Sequence, residues 1–416
     1  MEAFFELKKP DEVFELIDRL EPLGEETIPL EKSLGRVLRR DLEAPEDLPG
    51  FLRSTMDGYA VQAKDTFGAN ESLPALFELA GEVAMGRNDP ISVGEGEAVK
   101  IPTGGMLPEG ADGVVMLEYT THLDSKTIEI SRAISPLENI IQPGDDFKKE
   151  TVFLKKGHRL RPQDLGVAAG LGFPHVPVFR IPKVAIISTG DEIVPVEEGP
   201  LPGQVRDINR YTLGAFCREL GAEPVTMGIC RDDFQSLKDM VEEGASLADS
   251  VWISGGSSVG TRDLTLKVFE TLPGFELLVH GISISPGKPT ILGQCGGKTL
   301  VGLPGHVASA LVVAQVFMSR VIFRLRGENH SWSDSLFEVE AELSQNVESA
   351  NGREDYLRVL LVRDKDRIIA KPVFGKSGLI STLVDSDGLV KIDMNTEGLY
   401  QGQIVKVMLF RQGGLL

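Results

Sequence analysis

The stretch ADSVWISGGSSVGTRD, residues 248–263, decides the fold. Val251–Ile253 is a short, wholly apolar run, as expected of a strand buried on both faces, and it empties into a loop of glycines and serines. The same texture recurs on both sides of it. Val184–Ile187 runs into Ser188-Thr189-Gly190-Asp191-Glu192, Ile282–Ser285 into Pro286-Gly287-Lys288-Pro289, and Leu300–Val301 into Gly302-Leu303-Pro304-Gly305-His306. Helical patterns lie between these runs. One spans Asn209 to Leu220 and stops at Gly221. Another opens on Asp232 with Gln235 three residues on, a capping-box spacing, and a long apolar helix fills Val307–Phe323. Strands and helices alternating at these lengths predict an α/β, doubly wound domain with a mainly parallel sheet.

In such sheets ligands bind outside the carboxyl ends of the strands. Four loops at one end predict a single crevice, and each carries a device suited to phosphate. Ser254–Gly260 can bring backbone N–H groups against an anion. The helix after Gly305 offers unpaired N–H groups and a positive dipole end. Lys288, between Gly287 and Pro289, offers a cation. Asp191, Glu192 and Asp263 add carboxylates, which repel phosphate unless a divalent cation such as Mg2+ stands between. Read singly, each feature has a plainer explanation: a tight βα turn, a surface lysine, a helix cap at Asp263, a satisfied loop histidine at His306. Their coincidence in four loops favours a ligand site.

Outward from this domain the texture changes. Val13, Leu16, Ile17 and Leu20 predict a helix near the start of the chain. Residues 48–118 are dense in Gly and Pro with short apolar runs (Ala98–Ile101, Val114–Leu117), which predicts a β-rich lobe. Beyond about residue 330 the period is two, with Phe337, Val339, Ala341 and Leu343 alternating with glutamates, and Ile404–Phe410 is similar. With a turn signal at Asp387-Gly388, this predicts a small β-barrel. We expect four pieces: a discontinuous linking and dimerisation domain at 1–46 and 146–180, the β-rich lobe at 47–145, the α/β domain at 181–328 and the barrel at 329–416.

Charge narrows the function. A chain of 416 residues with a formal charge of −19 is a poor electrostatic match for nucleic acid or an anionic membrane. Cys217, Cys230 and Cys295 are widely spaced with no CxxC pair, so neither a disulfide framework nor a structural zinc site is expected, and a reducing cytoplasm is the natural location. Acidic residues interrupt the N-terminal segment, so no signal peptide is expected. Val307–Met318 is shorter than the roughly 20 residues of a membrane span, and is expected to be a core helix.

Three turns in the first half carry polar groups: Ser54–Ala60 with Asp57, Ile101–Gly105 with Thr103, and Gly144-Asp145-Asp146. Composition gives them no link to the α/β crevice. In order along the chain, however, LPGFLRSTMDGYAV (48–61), IPTGGMLPEGADGVVMLE (101–118), PGDDFKK (143–149), KVAIISTGDEIV (183–194), GQVRDINRYTLGAF (203–216), ICRDD (229–233), the 248–263 stretch, SPGKPT (285–290) and GLPGHVASALV (302–312) resemble the molybdopterin molybdenumtransferase family, which includes the C-terminal domain of gephyrin.

The resemblance implies an elongated homodimer in which the Asp57-bearing lobe of one subunit faces the α/β domain of the other. It implies Mg2+-assisted reaction of molybdate with adenylylated molybdopterin, giving molybdenum cofactor and AMP. The molybdopterin adenylyltransferase is then a candidate partner. By motif match, Asp57, Thr103, Asp146, Glu192, Asp232, Asp263 and Lys288 are the implied reaction-site positions, with Asp57, Glu192 and Asp263 as metal ligands. Thr189, Gly190, Ser254, Gly255, Gly256, Ser257, Ser258, Gly260, Pro286, Gly287, Pro304 and Gly305 would hold the pterin and its phosphate.

Four residues at three places depart from the family pattern. Ser285 and Leu266 stand where a lysine is common, and His306-Val307 replaces Asn-Pro. Two lost cations beside a polyanionic ligand would weaken its binding by about 1 kcal/mol or more each where partly buried. This leaves two alternatives open: a tungstate-inserting variant, and a non-catalytic molybdopterin-binding scaffold. The retained acids weigh against the scaffold.

Overall fold

The computed structural model describes residues 7–87, 90–255, 259–328 and 338–410, with the side chains of 259–263 left out. The chain divides into two compact units, one of Thr27–Val176 and one of Met1–Glu26 with Pro177–Leu416.

The first unit is built on a six-stranded sheet in the order Gly113–Met116, Gly58–Val61, Glu97–Ile101, Ala75–Glu82, Thr127–Ile130, Thr120–His122. Only the Ala75–Glu82 and Glu97–Ile101 pair is parallel. Tyr59, Val61, Phe77, Ala98, Val115, Ile128 and Ile130 fill its core. At Gly58 the neighbouring strand comes so close that a Cβ would stand 2.0 Å from the Val115 carbonyl oxygen, so this turn-to-strand junction admits glycine alone. Outside the sheet, helix Pro162–Gly170 starts with proline at its first position, where a missing N–H costs nothing. The Asp164 carboxylate accepts hydrogen bonds from the Arg161 backbone at 2.8 Å and from the Arg161 guanidinium, and pairs with His158 Nε2 at 2.7 Å.

In the second unit a six-stranded sheet runs Glu223–Cys230, Lys183–Thr189, Ser250–Gly255, Lys298–Pro304, Ile291–Cys295, Glu276–His280. The first four strands are parallel and the last two antiparallel to their neighbours. From Lys183–Thr189 the chain first adds a strand on one side and then crosses to the other, which makes the carboxyl ends of Lys183–Thr189 and Ser250–Gly255 the topological switch point. Helices Asn209–Glu219 and Phe234–Leu247 make these crossovers. Asn209–Glu219 ends before Gly221, which takes a φ of +73°, as the sequence predicts.

The long apolar helix is a core helix. Val307–Leu325 is largely buried and contains a π turn at Ala314–Met318. It shares its apolar cluster with Val13 and Ile17 of helix Pro10–Asp18, a shorter helix than the apolar spacing through Leu20 suggests. The C-terminal strands close into a five-membered ring, Glu354–Asp364, Arg367–Pro372, Glu338–Leu343, Ile404–Leu409, Gly388–Ile392 and back to Glu354–Asp364, so the predicted barrel is found. The Asp387-Gly388 pair is no hairpin turn. It follows the short helix Ser381–Val384 and opens a strand.

Two sequence expectations within the α/β region are corrected. Ile284–Ser285 is not a strand of the parallel sheet; it pairs with Glu354 and Asp355 of the barrel. The turn after it still reaches the same sheet edge, because Ile291, which follows, pairs with Gly302 near the carboxyl end of the adjacent antiparallel strand. The missing parallel strand is Glu223–Cys230, an edge strand with too mixed a composition to read as an apolar run.

Candidate functional site

Register brings the loop ends together. Cys230, Thr189, Gly255 and Pro304 lie side by side at the carboxyl edge of the sheet. The approach is tight: a Cβ on Gly255 would stand 2.1 Å from the Thr189 methyl carbon. A cleft of about 290 Å3 opens here, lined by Glu192, Asp207, Asn209, Gly255, Gly305 and His306 among others.

The cleft floor is a polar network. Asp207, 3% exposed, accepts from the Ser188 hydroxyl at 2.8 Å and from the Arg210 backbone at 3.1 Å. Its Oδ2 has no hydrogen-bond partner among the described residues and lies 3.6 Å from Arg210 Nε. Asn209 donates from Nδ2 to Ser254 Oγ at 2.6 Å and to the Gly305 carbonyl at 2.8 Å, which ties two loops to one helix start. Its Oδ1 is buried without a hydrogen-bond partner among the described residues. An unsatisfied buried acceptor at a cleft is a natural place for a ligand donor. The sequence motif containing Asp207 and Asn209 was visible, but nothing in composition gave either residue a role.

The acidic edge is organised around Asp232. Thr189 Oγ1 donates to Asp232 Oδ1 at 2.8 Å, and the Asp232 backbone N–H donates to Asp191 Oδ1 at 3.3 Å. Partial burial pushes the Asp232 carboxyl above its ordinary value; the Thr189 hydrogen bond opposes this, and the charges of Asp191 and Glu192 add to it. Asp232 is not the helix cap that its spacing to Gln235 suggests. Asp233 is: its Oδ2 accepts from the Ser236 backbone at 2.8 Å, while Gln235 bonds Asp239.

The barrel contributes as well. His306 Nδ1 lies 2.8 Å from Ser377 Oγ, and the Ala308 backbone donates to the Ser377 carbonyl, so one N–H at the start of the apolar helix is already taken. Gly378 lines the same cleft. Lys288 is exposed on its turn, and Gly287 packs under Val313 with a φ of +119°. Leu266 packs against the apolar cluster of Ile187, Leu237 and Phe269, which gives its departure from lysine a structural use. Gly256, Ser257 and Ser258 lie outside the described residues, as do the side chains at Gly260 and Asp263. No group of three or more His, Cys, Asp or Glu side chains among the described residues is placed to hold a metal ion.

The second cluster is in the Thr27–Val176 unit. Thr103 donates to Asp57 Oδ1 twice, from its backbone at 2.7 Å and its hydroxyl at 2.9 Å. These bonds, the backbone one first, hold the Asp57 carboxyl below its ordinary value. The surrounding turns are knitted together, Ser54 and Gly105 or Gly104 exchanging backbone hydrogen bonds and Ile140–Ile141 pairing with Arg53–Ser54. Asp146 is exposed, and its backbone donates to the Leu48 carbonyl. The turns carrying Asp57 and Thr103 are thus joined directly, while the Gly144–Asp146 turn bonds to Leu48 and Pro49.

The fold and the clefted sheet edge define a doubly wound α/β ligand-binding domain that lies, along the chain, between other domains. Residues 185–324 match the family model described as "probable molybdopterin binding domain"; residues 8–172 match the MoeA N-terminal region (domains I and II) and residues 340–410 the MoeA C-terminal region (domain IV). A molybdopterin molybdenumtransferase of Haemophilus influenzae is 32% identical, over 94% of this chain and 95% of its own. That of Bacillus subtilis is 31% identical, over 97% and 94%. A crystal structure of a MoeA molybdopterin biosynthesis protein from Pyrococcus horikoshii superposes with a TM-score of 0.85 at 37% identity, covering 98% of this chain and all of that one. The chain belongs to the MoeA family of molybdopterin molybdenumtransferases.

Proposed function

We propose that this protein inserts molybdate into adenylylated molybdopterin and releases AMP, in the cytoplasm, as a Mg2+-assisted homodimer. The observation that carries the reading is the pair of differently tuned carboxylates, Asp57 under Thr103 and Asp232 under Thr189, each at a motif the family resemblance marks. Enzymes separate the roles of paired acids by tuning their environments in this way.

In the α/β cleft the backbone around Gly255 and Gly305 receives the pterin and its phosphates, with the buried Asn209 fixing the spacing of those two loops. Asp232, oriented by the Thr189 hydroxyl, holds or moves a proton at the attacking oxygen. Mg2+ commonly binds through one or two carboxylates plus phosphate oxygens, and Asp57, Glu192 and Asp263 are the carboxylates that would hold it together with the ligand's phosphates. When bound it would neutralise charge on the phosphates. Asp263, Asp146 and Lys288 complete the proposed set, and Asp57 of one subunit would serve the cleft of the other. The molybdopterin adenylyltransferase is the proposed supplier of substrate.

Supplying adenylylated molybdopterin, molybdate and Mg2+ should release AMP, and Asp57→Ala and Asp263→Ala should each reduce it strongly. No AMP above a metal-free control overturns the assignment. Tungstate insertion is the second reading, favoured by Leu266 and Ser285 replacing cations; a molybdate–tungstate competition that molybdate wins removes it.

A further inference from the structure

The cleft at the carboxyl edge of the α/β sheet contains two buried oxygens that nothing among the described residues satisfies. Asn209 is 9% exposed and Asp207 3%, and both line the cleft. Asn209 Oδ1 and Asp207 Oδ2 are each without a hydrogen-bond partner. Buried polar groups are normally paired, so two open acceptors at one cleft call for donors brought by a ligand.

The neighbours of each group fix which atom is left open. Asn209 Nδ2 donates to Ser254 Oγ at 2.6 Å and to the Gly305 carbonyl at 2.8 Å. A carbonyl oxygen only accepts, so the amide nitrogen must face Gly305, and both of its N–H groups are used. Oδ1 remains as a pure acceptor. Asp207 Oδ1 takes the Ser188 hydroxyl at 2.8 Å and the Arg210 backbone N–H at 3.1 Å. The Arg210 side chain does not complete Oδ2: its Nε is 3.6 Å away, beyond hydrogen-bond length, and its Nη2 donates to the Tyr211 hydroxyl at 2.6 Å.

Two acceptors select a ligand edge that presents two donors. Adenylylated molybdopterin has two ring systems, and they differ in this respect. The pyrimidinone edge of a pterin carries its N3–H next to its 2-amino group, donor beside donor. Adenine carries its 6-amino group next to N1 on one edge and N7 on the other, donor beside acceptor on both. Set against two oxygens, either adenine edge would satisfy one and repel the other. The cleft volume of about 290 Å3 is at the lower end of small-molecule sites, which suits one flat ring system rather than both. Ile193, Val205 and Ile208 also line it and offer aliphatic surface to the faces of such a ring.

We propose that Asn209 and Asp207 are the specificity-determining residues for the pterin ring, Asn209 Oδ1 and Asp207 Oδ2 accepting hydrogen bonds from its 2-amino group and N3–H. This rests on the reading that a molybdopterin derivative is the substrate, and adds which of its rings the cleft takes and which atoms read it. The test is fluorescence titration of the full chain with 6-hydroxymethylpterin and, in parallel, with 6-hydroxymethyllumazine, in which a carbonyl oxygen replaces the 2-amino group. The pterin should bind saturably. The lumazine and adenosine should each bind at least about tenfold more weakly, the scale of a buried acceptor left without its donor.

The ratio of pterin to lumazine affinity separates recognition from architecture. Loss of the loop tie alone weakens both ligands together and leaves the ratio in place; loss of a reading oxygen narrows it. Asn209→Ala and Asp207→Asn should each bring the ratio down several-fold. Ser254→Ala, which breaks one bond of the tie and spares Oδ1, should keep it. Thermal melts confirm that each variant is folded; if Asn209→Ala is not, Asp207→Asn decides. Absence of saturable pterin binding, equal affinity for the lumazine or for adenosine, or an unchanged ratio in either folded variant overturns the proposal. AMP release measured alongside keeps the two readings apart. Release of AMP with an unchanged ratio refutes the pterin assignment alone, and the expected ratios without AMP release refute the transferase reading and uphold the pterin site.

Discussion

Asp57 and Asp232 are both aspartates beneath a threonine hydroxyl, yet their surroundings push them in opposite directions. Asp57 is fully exposed and takes two hydrogen bonds from one residue, so its carboxylate is stabilised and its pKa falls. Asp232, itself an exposed residue, takes one such bond, has its carboxyl partly desolvated, and has Asp191 and Glu192 as neighbours, so its pKa rises. In the proposed function the first remains an anion, as a positioning group or cation ligand must, and the second exchanges a proton. The difference lies in counting donors against burial and like charge, not in the residue type.

The most severe way to break this contrast is to remove the proton exchanger. Asp232→Asn preserves shape and should lower AMP release by about a hundredfold or more, the scale of general acid–base catalysis. It should not lower stability. A carboxyl whose folded pKa is raised favours folding below its unfolded pKa, and that contribution is lost as pH rises through the folded value. At neutral pH the ionised group therefore opposes folding, and Asp232→Asn should melt at or above the parent temperature. The gap should close as pH is lowered through the Asp232 pKa. A variant that loses both activity and melting temperature at neutral pH would show Asp232 to be structural.

A milder break is made at the other acid. Thr103→Val removes the hydroxyl donor but keeps the backbone donor, which costs about 1 kcal/mol, or a five- to tenfold drop in AMP release. Asp57 should then titrate closer to the ordinary carboxyl range. If activity is unchanged, the Asp57 carboxylate does not need its second donor, and the parallel between the two sites fails.

The contrast was only partly readable from sequence. The sheet edge was legible because Val184–Ile187, Val251–Ile253 and Leu300–Val301 are apolar runs with Gly-bearing ends, and a strand buried on both faces leaves that trace. Glu223–Cys230 was missed because an edge strand needs no such run. The capping-box spacing to Gln235 pointed to Asp232, although Asp233 precedes the same helix and has Ser236 three residues on. The geometry chose Asp233, and that choice frees Asp232 for Thr189. Ser377, across from His306, lies far along the chain in another domain, a distance no periodicity spans. The resemblance marked Asp57 and Thr103 as separate positions, and neither it nor composition tied them together, because the tie depends on two turns meeting at the end of paired strands.

The smallest expected effect is the most diagnostic. Thr189→Val removes the one hydrogen bond that lowers the Asp232 pKa and leaves burial and the Asp191 and Glu192 charges in place, so that pKa should rise further. The rate at optimum pH should fall only a few-fold, on the order of one neutral hydrogen bond. What should move is the acid limb of the pH–rate profile. If Asp232 works as the ionised base, activity is lost as pH falls through its pKa, and the limb of Thr189→Val lies at higher pH than that of the parent. If Asp232 works as a protonated acid, the same substitution extends activity toward higher pH instead. Thr103→Val should leave this limb where it is, because Asp57 titrates below it in the parent and its one remaining backbone donor still favours the anion. A limb that moves equally in both variants would mean the two carboxylates titrate as one coupled site, and the assignment of separate roles would fall.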